Sequence, residues 1–485
     1  MTTESKAAEQ PGGEGVLAGL DSQVTTSFYW YLAVLSCIGG FLFGYDTAVI
    51  GSVLDFIPYE LSNLATGYLV AGASLGAAAG ALAAGPLTDR FGRKSLLIVD
   101  AAIYAVGAIL SAVAWNTETL LVARTLIGLA VGADSAIATA YLAEFAPRAR
   151  RGALMIMQQW MITVGIFVSF IVAIVTFKIA PEEATGADWR IILGIGALPA
   201  VVALLLRTRM PESPRWLMLN ERYADTQQAL GQLGMDVTEQ QVRDTAEQLA
   251  ETERQLEHKT LWTPGVKRAL AVVGVFFVFQ QITGINIPFY YGPQLLGEYF
   301  QAGKSAVDAA VAGVMAAAIL GAVNVIATFF AFRYIDKIGR RKLAIGGFLG
   351  MAVSILVAAV GVEFLTGLPR VWVVMIGFSL FITAFAIGVG GTGWLIQGEV
   401  FPTAVRGRAA AACASLDWLA NFVIVQWFPT LNAAWGLAWV MVLFAALALL
   451  AAWFVARFLP ETKGLALEDV TAVFERQATG KESVR

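Results

Sequence analysis

Histidine is almost missing from this chain. His258 is the only one in 485 residues, and it lies in a charged stretch, so histidine proton relays and histidine-held metals are excluded. Cysteine is nearly as scarce. Cys37 and Cys413 both fall in apolar runs, which gives neither a disulfide framework nor a metal-ligand spacing. Charged residues make up only 14% of the chain, and a net charge of −3 offers no basic surface for nucleic acid. No nucleophile–base set or phosphate loop stands out, so neither an enzyme nor a cofactor is expected. The first 26 residues lack a charged start joined to an apolar core, and a disordered tail is expected there in place of a signal peptide.

What the chain has in abundance is apolar length. It is 58% hydrophobic with a mean hydropathy of +0.68, the composition of a polytopic membrane protein. Runs of spanning length fall near 28–52, 65–87, 95–115, 119–141, 153–178 and 189–207. After a polar gap, six more fall near 266–293, 306–332, 342–365, 371–397, 408–431 and 434–458. The expected fold is all-α, with twelve transmembrane helices in two six-helix bundles. Its divisions are a tail at 1–26, a first bundle at 27–208, a linker at 209–263, a second bundle at 264–458 and a tail at 459–485.

The loops assign the sides. One set carries Arg90, Arg93 and Lys94; Arg148, Arg150 and Arg151; Arg333, Lys337, Arg340, Arg341 and Lys342; and Arg406 and Arg408. The other has only the isolated Lys178, Lys304 and Arg370. The basic set is expected to be cytoplasmic, and with an even number of spans both termini join it.

The sequence also repeats. Asp89-Arg90-Phe91-Gly92-Arg93 returns as Asp336-Lys337-Ile338-Gly339-Arg340. Glu144, Pro147, Arg151 and Gly152 return as Glu399, Pro402, Arg406 and Gly407, and Pro211-Glu212 returns as Pro460-Glu461. All three recurrences keep one order at offsets near 250 residues, which indicates two homologous halves, an arrangement suited to alternating access. Between them, Pro211 to Leu217 has helix-start residues. The spaced Leu230, Leu233, Val242, Leu249 and Leu256 predict short amphipathic helices beneath the membrane domain. In the second span, Gly72, Gly76 and Gly80 predict close helix packing.

The densest chemistry lies in Gln280 to Tyr291, Gln-Gln-Ile-Thr-Gly-Ile-Asn-Ile-Pro-Phe-Tyr-Tyr. Gln280, Gln281, Asn286, Tyr290 and Tyr291 put amides and phenols where hydrocarbon is the default. Gly284 and Pro288 predict a broken helix, the device from which carriers build sites near the middle of the bilayer. One amide alone would read as interhelical glue. Five polar groups within three turns predict a binding site for a neutral, hydroxyl-rich ligand.

With Gly39-Gly40-Phe41-Leu42-Phe43-Gly44-Tyr45-Asp46-Thr47 and Pro460-Glu461-Thr462-Lys463-Gly464 added, the chain from about residue 28 to 465 resembles the sugar porter family of the major facilitator superfamily. The resemblance implies a proton-coupled symporter of a monosaccharide or a polyol, a monomer in the plasma membrane. Positions matching sugar contacts are Gln159, Gln280, Gln281, Asn286, Asn324, Trp394, Trp418 and Asn421, with Phe43 and Tyr290 lining the cavity. Amides donate to and accept from hydroxyls, and an indole adds one N–H and a flat apolar face. Asp46 matches the carboxylate of proton-coupled members and Arg124 its partner. The two form either a proton switch or a permanent structural ion pair. A cytoplasmic gate is implied at Asp89, Arg93, Glu144 and Arg151 and at Asp336, Arg340, Glu399 and Arg406.

Three positions depart from the family pattern. Asp417 stands beside Trp418 where an amide is usual, and is read as a further substrate contact. Asp134 has its parallel in carriers of phosphate and organic acids. Val389-Gly390-Gly391-Thr392-Gly393 replaces an expected proline, predicting a pliable tenth helix without a fixed kink. Two alternatives therefore stand beside sugar symport: a proton symporter of a small organic acid or other charged metabolite, and a non-transporting sugar sensor, which the short tails disfavour.

Overall fold

The computed structural model describes residues 16, 27–145, 151–179, 188–257, 262–300, 306–401, 403–463 and 467–478. Of the expected amino-terminal tail only Val16 is among them. Pro147, Arg148, Arg150 and Lys304 lie outside the described residues, as do the side chains of Arg151 and Asp336.

Among the described residues, twelve helices are long and apolar enough to cross a bilayer. The first half holds α1 (Ser27–Val53), α2 (Asn63–Phe91), α3 (Arg93–Ala112), α4 (Thr117–Phe145), α5 (Arg151–Ile179) and α6 (Asp188–Arg207). The second half holds α7 (Pro264–Ile282), α8 (Ala306–Ile338), α9 (Arg340–Phe364), α10 (Gly367–Phe385), α11 (Thr403–Trp435) and α12 (Leu437–Phe458). No strand occurs among the described residues. Large apolar side chains such as Val106, Leu198, Val353 and Trp453 are exposed on the outer faces of the bundle. Against water this would be costly; against lipid tails it is not.

Local chemistry fixes the helix ends. Ser62 Oγ accepts from Ala65 N at 3.2 Å to start α2, and Thr263 Oγ1 accepts from Val266 N at 3.3 Å, with Pro264 in the first turn, to start α7. The repeated Asp-x-x-Gly-Arg and Pro-Glu motifs meet in space. Gly92 (φ 88, ψ 162) and Gly339 (φ 105, ψ 147) hold the turns into α3 and α9 in a conformation open essentially to glycine alone. That turn presents the first N–H groups of α3 to Glu212, whose Oε1 accepts from Arg93 N at 2.9 Å and Lys94 N at 3.1 Å. Glu461 repeats the arrangement on α9, accepting from Arg340 N at 2.8 Å and Arg341 N at 3.2 Å. A carboxylate at a helix start meets unpaired donors and the positive end of the dipole. The internal repeat is thus a duplicated clamp.

The interdomain segment forms helices at Pro214–Leu219, Tyr223–Gln232 and Glu239–Glu257. Its apolar Leu230, Leu233 and Val242 are buried against Leu97, Tyr141 and Phe145 of the first half. Trp216 Nε1 donates to Asp89 O at 2.9 Å, and Tyr141 Oη donates to Pro211 O at 2.9 Å. A further helix, Leu467–Ala478, lies against α7, where Arg268 Nε donates to Gln477 Oε1 at 3.2 Å.

Glycines set the approach within the first half. A Cβ on Gly44 of α1 would lie 1.9 Å from Ile162 O of α5, and one on Gly165 of α5 would lie 2.2 Å from Phe41 O. Gly76 and Gly80 of α2 meet α4 in the same way, answered by Gly128 and Gly132. Gly72 instead faces Tyr68 of its own helix, so only two of the three predicted glycines mediate packing.

The halves touch along α2 with α11, α5 with α8, and α1 with the short helices Ile287–Tyr290 and Gly292–Gly297 that follow α7. Gln426 Nε2 donates to Leu64 O at 2.8 Å, Ser415 Oγ to Ala78 O at 3.2 Å, Trp160 Nε1 to Val325 O at 3.3 Å and Gln294 Nε2 to Asp55 Oδ1 at 2.9 Å. These bonds run from mid-span to the end opposite the basic loops.

One expectation is corrected. The glycine-rich stretch does not leave α10 evenly pliable. The irregularity is confined to one wide π turn, Ala386–Gly390, before the helix resumes at Gly391–Val400. Two contacts localise it. A Cβ on Gly388 would lie 2.4 Å from Gly347 Cα of α9, and Gln280 Nε2 of α7 donates to Gly390 O at 3.1 Å.

Candidate functional site

α7 breaks where Gly284 and Pro288 predict. The helix ends at Ile282, Gly284 takes φ 84, and the chain resumes as Ile287–Tyr290 and Gly292–Gly297. The break turns the amides of α7 toward α11. Gln281 Nε2 donates to Asp417 Oδ1 at 2.9 Å, and Gln281 Oε1 accepts from Asn286 Nδ2 at 2.9 Å. Asn286 Nδ2 also reaches Asn421 Oδ1 at 3.0 Å, and Asn421 Nδ2 donates to Ser74 Oγ of α2 at 2.8 Å. A continuous polar chain therefore crosses from the second half to the first.

Asp417 and Asn421 lie one helical turn apart on α11, so both face α7. Trp418 is buried, packs edge-on against Phe43 with ring centroids 4.7 Å apart, and has an Nε1 donor without a partner among the described residues. Gln280 spends its amide nitrogen on α10 and leaves its Oε1 unpartnered. Trp394 is half-buried against Phe277, with centroids 5.1 Å apart. Partly satisfied buried donors and acceptors beside aromatic faces are what a hydroxylated ring can complete.

Asp46 and Arg124 form a direct ion pair inside the first half, 4% and 0% exposed. Arg124 Nε also donates to Leu69 O at 3.2 Å, while its Nη2 has no partner among the described residues. Tyr290, beyond the α7 break, lies near Thr47 and Ser74 and within electrostatic reach of Asp46 and Arg124. Ser74 thus ends the amide chain beside the tyrosine that faces the ion pair. Thr47 and Ser74 escape a reading of the sequence. Thr47 directly follows Asp46, a usable signal. Ser74 is one small residue in a glycine–alanine run and carries none.

Two of the predicted contacts stand apart from this chain. Asn324 of α8 is buried and its side chain meets Thr328 at 3.4 Å, and Gln159 of α5 is half-buried. The basic-loop clusters form within each half. Arg93 reaches Asp89 at 3.6 Å and Glu144 at 3.1 Å; Arg340 reaches Glu399 at 2.7 Å, and Thr462 Oγ1 donates to the other Glu399 oxygen at 2.7 Å. Arg406 Nε donates to Phe401 O at 3.1 Å. Asp134 lies outside the amide chain, with Arg207 Nη1 at 2.5 Å from its Oδ1.

The family model described as Sugar (and other) transporter matches residues 32–474. The chain belongs to that family. The matched range contains every candidate residue named above. The glucose transporter GlcP of Staphylococcus epidermidis (strain ATCC 12228 / FDA PCI 1200) is 33% identical over 447 residues, covering 91% of this chain and 96% of that protein. The arabinose-proton symporter of Bacillus subtilis (strain 168) is 32% identical over 447 residues, covering 91% and 94%. Among solved structures, the proton:xylose symporter XylE of E. coli, bound to 6-bromo-6-deoxy-D-glucose, aligns with a TM-score of 0.74 at 27% identity over 93% of this chain and 99% of that one. The fold is the major facilitator fold, and the chain is a multi-pass membrane protein of a transporter family, not an enzyme.

Proposed function

We propose that this transporter takes up a monosaccharide or a related polyol together with a proton. The observation that carries the reading is the amide chain Gln281–Asn286–Asn421, which ends on Ser74 beside Tyr290, itself within electrostatic reach of the Asp46–Arg124 pair. Substrate hydroxyls that replace bonds in this chain reset Ser74 and Tyr290, and with them the surroundings of the carboxylate. A proton on Asp46 releases Arg124, and the two events favour one arrangement of the halves over the other. An arabinose-proton symporter and a proton:xylose symporter among similar proteins support the same reading.

The substrate contacts are Phe43, Gln159, Gln280, Gln281, Asn286, Tyr290, Asn324, Trp394, Asp417, Trp418 and Asn421, and the coupling pair is Asp46 with Arg124. The bundles occupy 27–208 and 264–458, joined by 209–263, and the tails are 1–26 and 459–485. The protein works as a monomer in the plasma membrane with both tails and the basic loops cytoplasmic. On that orientation the bonds between halves close the outer side, so the arrangement faces inward. The clusters around Arg93 and Arg340 act as gates by changing partners when the cytoplasmic ends meet.

A charged cargo loses one of its two arguments, because Asp134 is neutralised inside the first half by Arg207. The test is uptake into proteoliposomes of a panel of labelled pentoses, hexoses, inositols and small organic acids under an imposed pH gradient. Accumulation of a neutral sugar or polyol that an uncoupler abolishes is expected. Accumulation of an organic acid alone would overturn the assignment of substrate.

A further inference from the structure

Asp134 of α4, Asp100 of α3 and Arg207 of α6 meet in the interior of the first half, 5%, 6% and 1% exposed. They line one small cavity with Gly39 and Leu42 of α1 and Tyr104 of α3, with room for about one water molecule (~10 Å³). Arg207 Nη1 is engaged by Asp134 Oδ1 at 2.5 Å and by Leu97 O at 2.8 Å. Asp100 Oδ2, Asp134 Oδ2, Arg207 Nε and Arg207 Nη2 are buried with no hydrogen-bond partner among the described residues. A Cβ on Gly39 would fall 1.4 Å from Asp134 Oδ2, so the glycine leaves the space that this carboxylate fills.

The charges do not balance. Two carboxylates share one guanidinium, which leaves a single uncompensated negative charge away from water. A buried unpaired charge of this kind is among the costliest features a protein can hold. One proton removes it. The ionisable groups that face Asp134 are Cys37 of α1, Asp100 and Tyr104 of α3 and Arg207 of α6. None of the others supplies a second cation. Arg207 itself disfavours a metal ion in so small a space.

We propose that the Asp100–Asp134–Arg207 cluster is a second proton-binding site of the first half, separate from Asp46–Arg124. One O–H bond forms on a carboxylate oxygen of Asp100, the member that lacks a guanidinium contact, and Asp134 keeps Arg207. No other bond changes. The location gives the site a role. Asp134 follows Arg124 on α4 by ten residues, about 15 Å toward the basic-loop end. Tyr104, one turn beyond Asp100, lines the cavity, donates to Leu42 O at 3.0 Å and lies within electrostatic reach of Asp46. The cluster therefore stands between Asp46 and the basic loops.

The test needs no substrate, so it stands or falls apart from the sugar reading. Infrared difference spectra are recorded on purified Asp46→Asn/Asp417→Asn protein while the pH is lowered through the neutral range. A buried carboxyl C=O band should grow. It should be lost when Asp100→Asn is added, a change that leaves the Asp134–Arg207 pair intact and charge-balanced. Asp134→Asn/Arg207→Gln is the second variant, neutralising both members of the pair together, and it should shift or remove the band. Each variant is first required to run as a single species on gel filtration. Absence of a titrating band in the parent protein overturns the proposal, as does a band unchanged in both variants. Suppression of the band by added sodium would instead assign the site to a metal cation and overturn it too.

Discussion

Gln281→Ala tests the centre of the proposed site. In the structure this side chain makes two bonds, donating to Asp417 at 2.9 Å and accepting from Asn286 at 2.9 Å. Truncation removes both and strips the buried Asp417 of the partner it has here. A net loss of about 1 kcal/mol per hydrogen bond, with about 1–3 kcal/mol for a buried polar group left unpaired, brackets the effect on a bound hydroxyl. Substrate binding should weaken by about 1–3 kcal/mol, a rise of about 5- to 150-fold in Kd. The assay is titration of the purified protein by calorimetry or tryptophan fluorescence, with gel filtration as the control for folding. Trp394 and Trp418 lie beside the proposed site and supply the optical signal. An unchanged Kd in a well-folded variant would move the site away from α7 and α11, and the amide chain would then be only a brace between the halves.

Other substitutions separate the remaining roles. Asp46→Asn should abolish accumulation driven by a pH gradient while sparing substrate exchange in proteoliposomes. Each unit of gradient is worth about 1.4 kcal/mol to one coupled proton, so the variant should lose about tenfold accumulation per unit. Full accumulation by Asp46→Asn would remove it from coupling. Asp417→Asn keeps shape and the acceptor for Gln281, so binding of a neutral sugar should persist with a flatter pH profile; loss of transport at every pH, with Asp46→Asn still active, would make Asp417 the coupling group. Gly92→Ala should cost about 1–3 kcal/mol, because φ 88 with ψ 162 is essentially closed to alanine, and its Cβ would lie 2.3 Å from Glu212 Oε2. A lowered melting midpoint in detergent checks this, and an unchanged midpoint would show that the clamp holds no strain.

The twelve spans and the α7 break were legible because their causes are local. Hydropathy over twenty residues, a glycine before a proline and amides in an apolar run all lie within a few turns of sequence. The duplicated clamp was half legible. Both motifs repeat visibly, yet nothing in Pro211-Glu212 says that its carboxylate receives the first N–H groups of α3. Ser74, the Arg207 partner of Asp134 and the wide turn in α10 were illegible for one shared reason. Each is set by what stands opposite on another helix, and helix crossings bring together residues far apart in the chain. Asp134 shows the cost. Read alone it argued for a charged cargo; beside Arg207 it is one half of an internal ion pair.

Among the described residues the interdomain helices bury their apolar Leu230, Leu233 and Val242 on the first half, and the helix after α12 lies on the second. Each bundle therefore carries its own floor. The peptide link between them adds proximity, and closing such a loop is worth only a slowly varying entropy. The transporter is mechanically two parts held by one seam of side chains, and the seam is the surface that the substrate must part. A gene cut between the codons for Glu257 and Trp262 should yield two polypeptides that find each other in the membrane and resume the work of the intact chain.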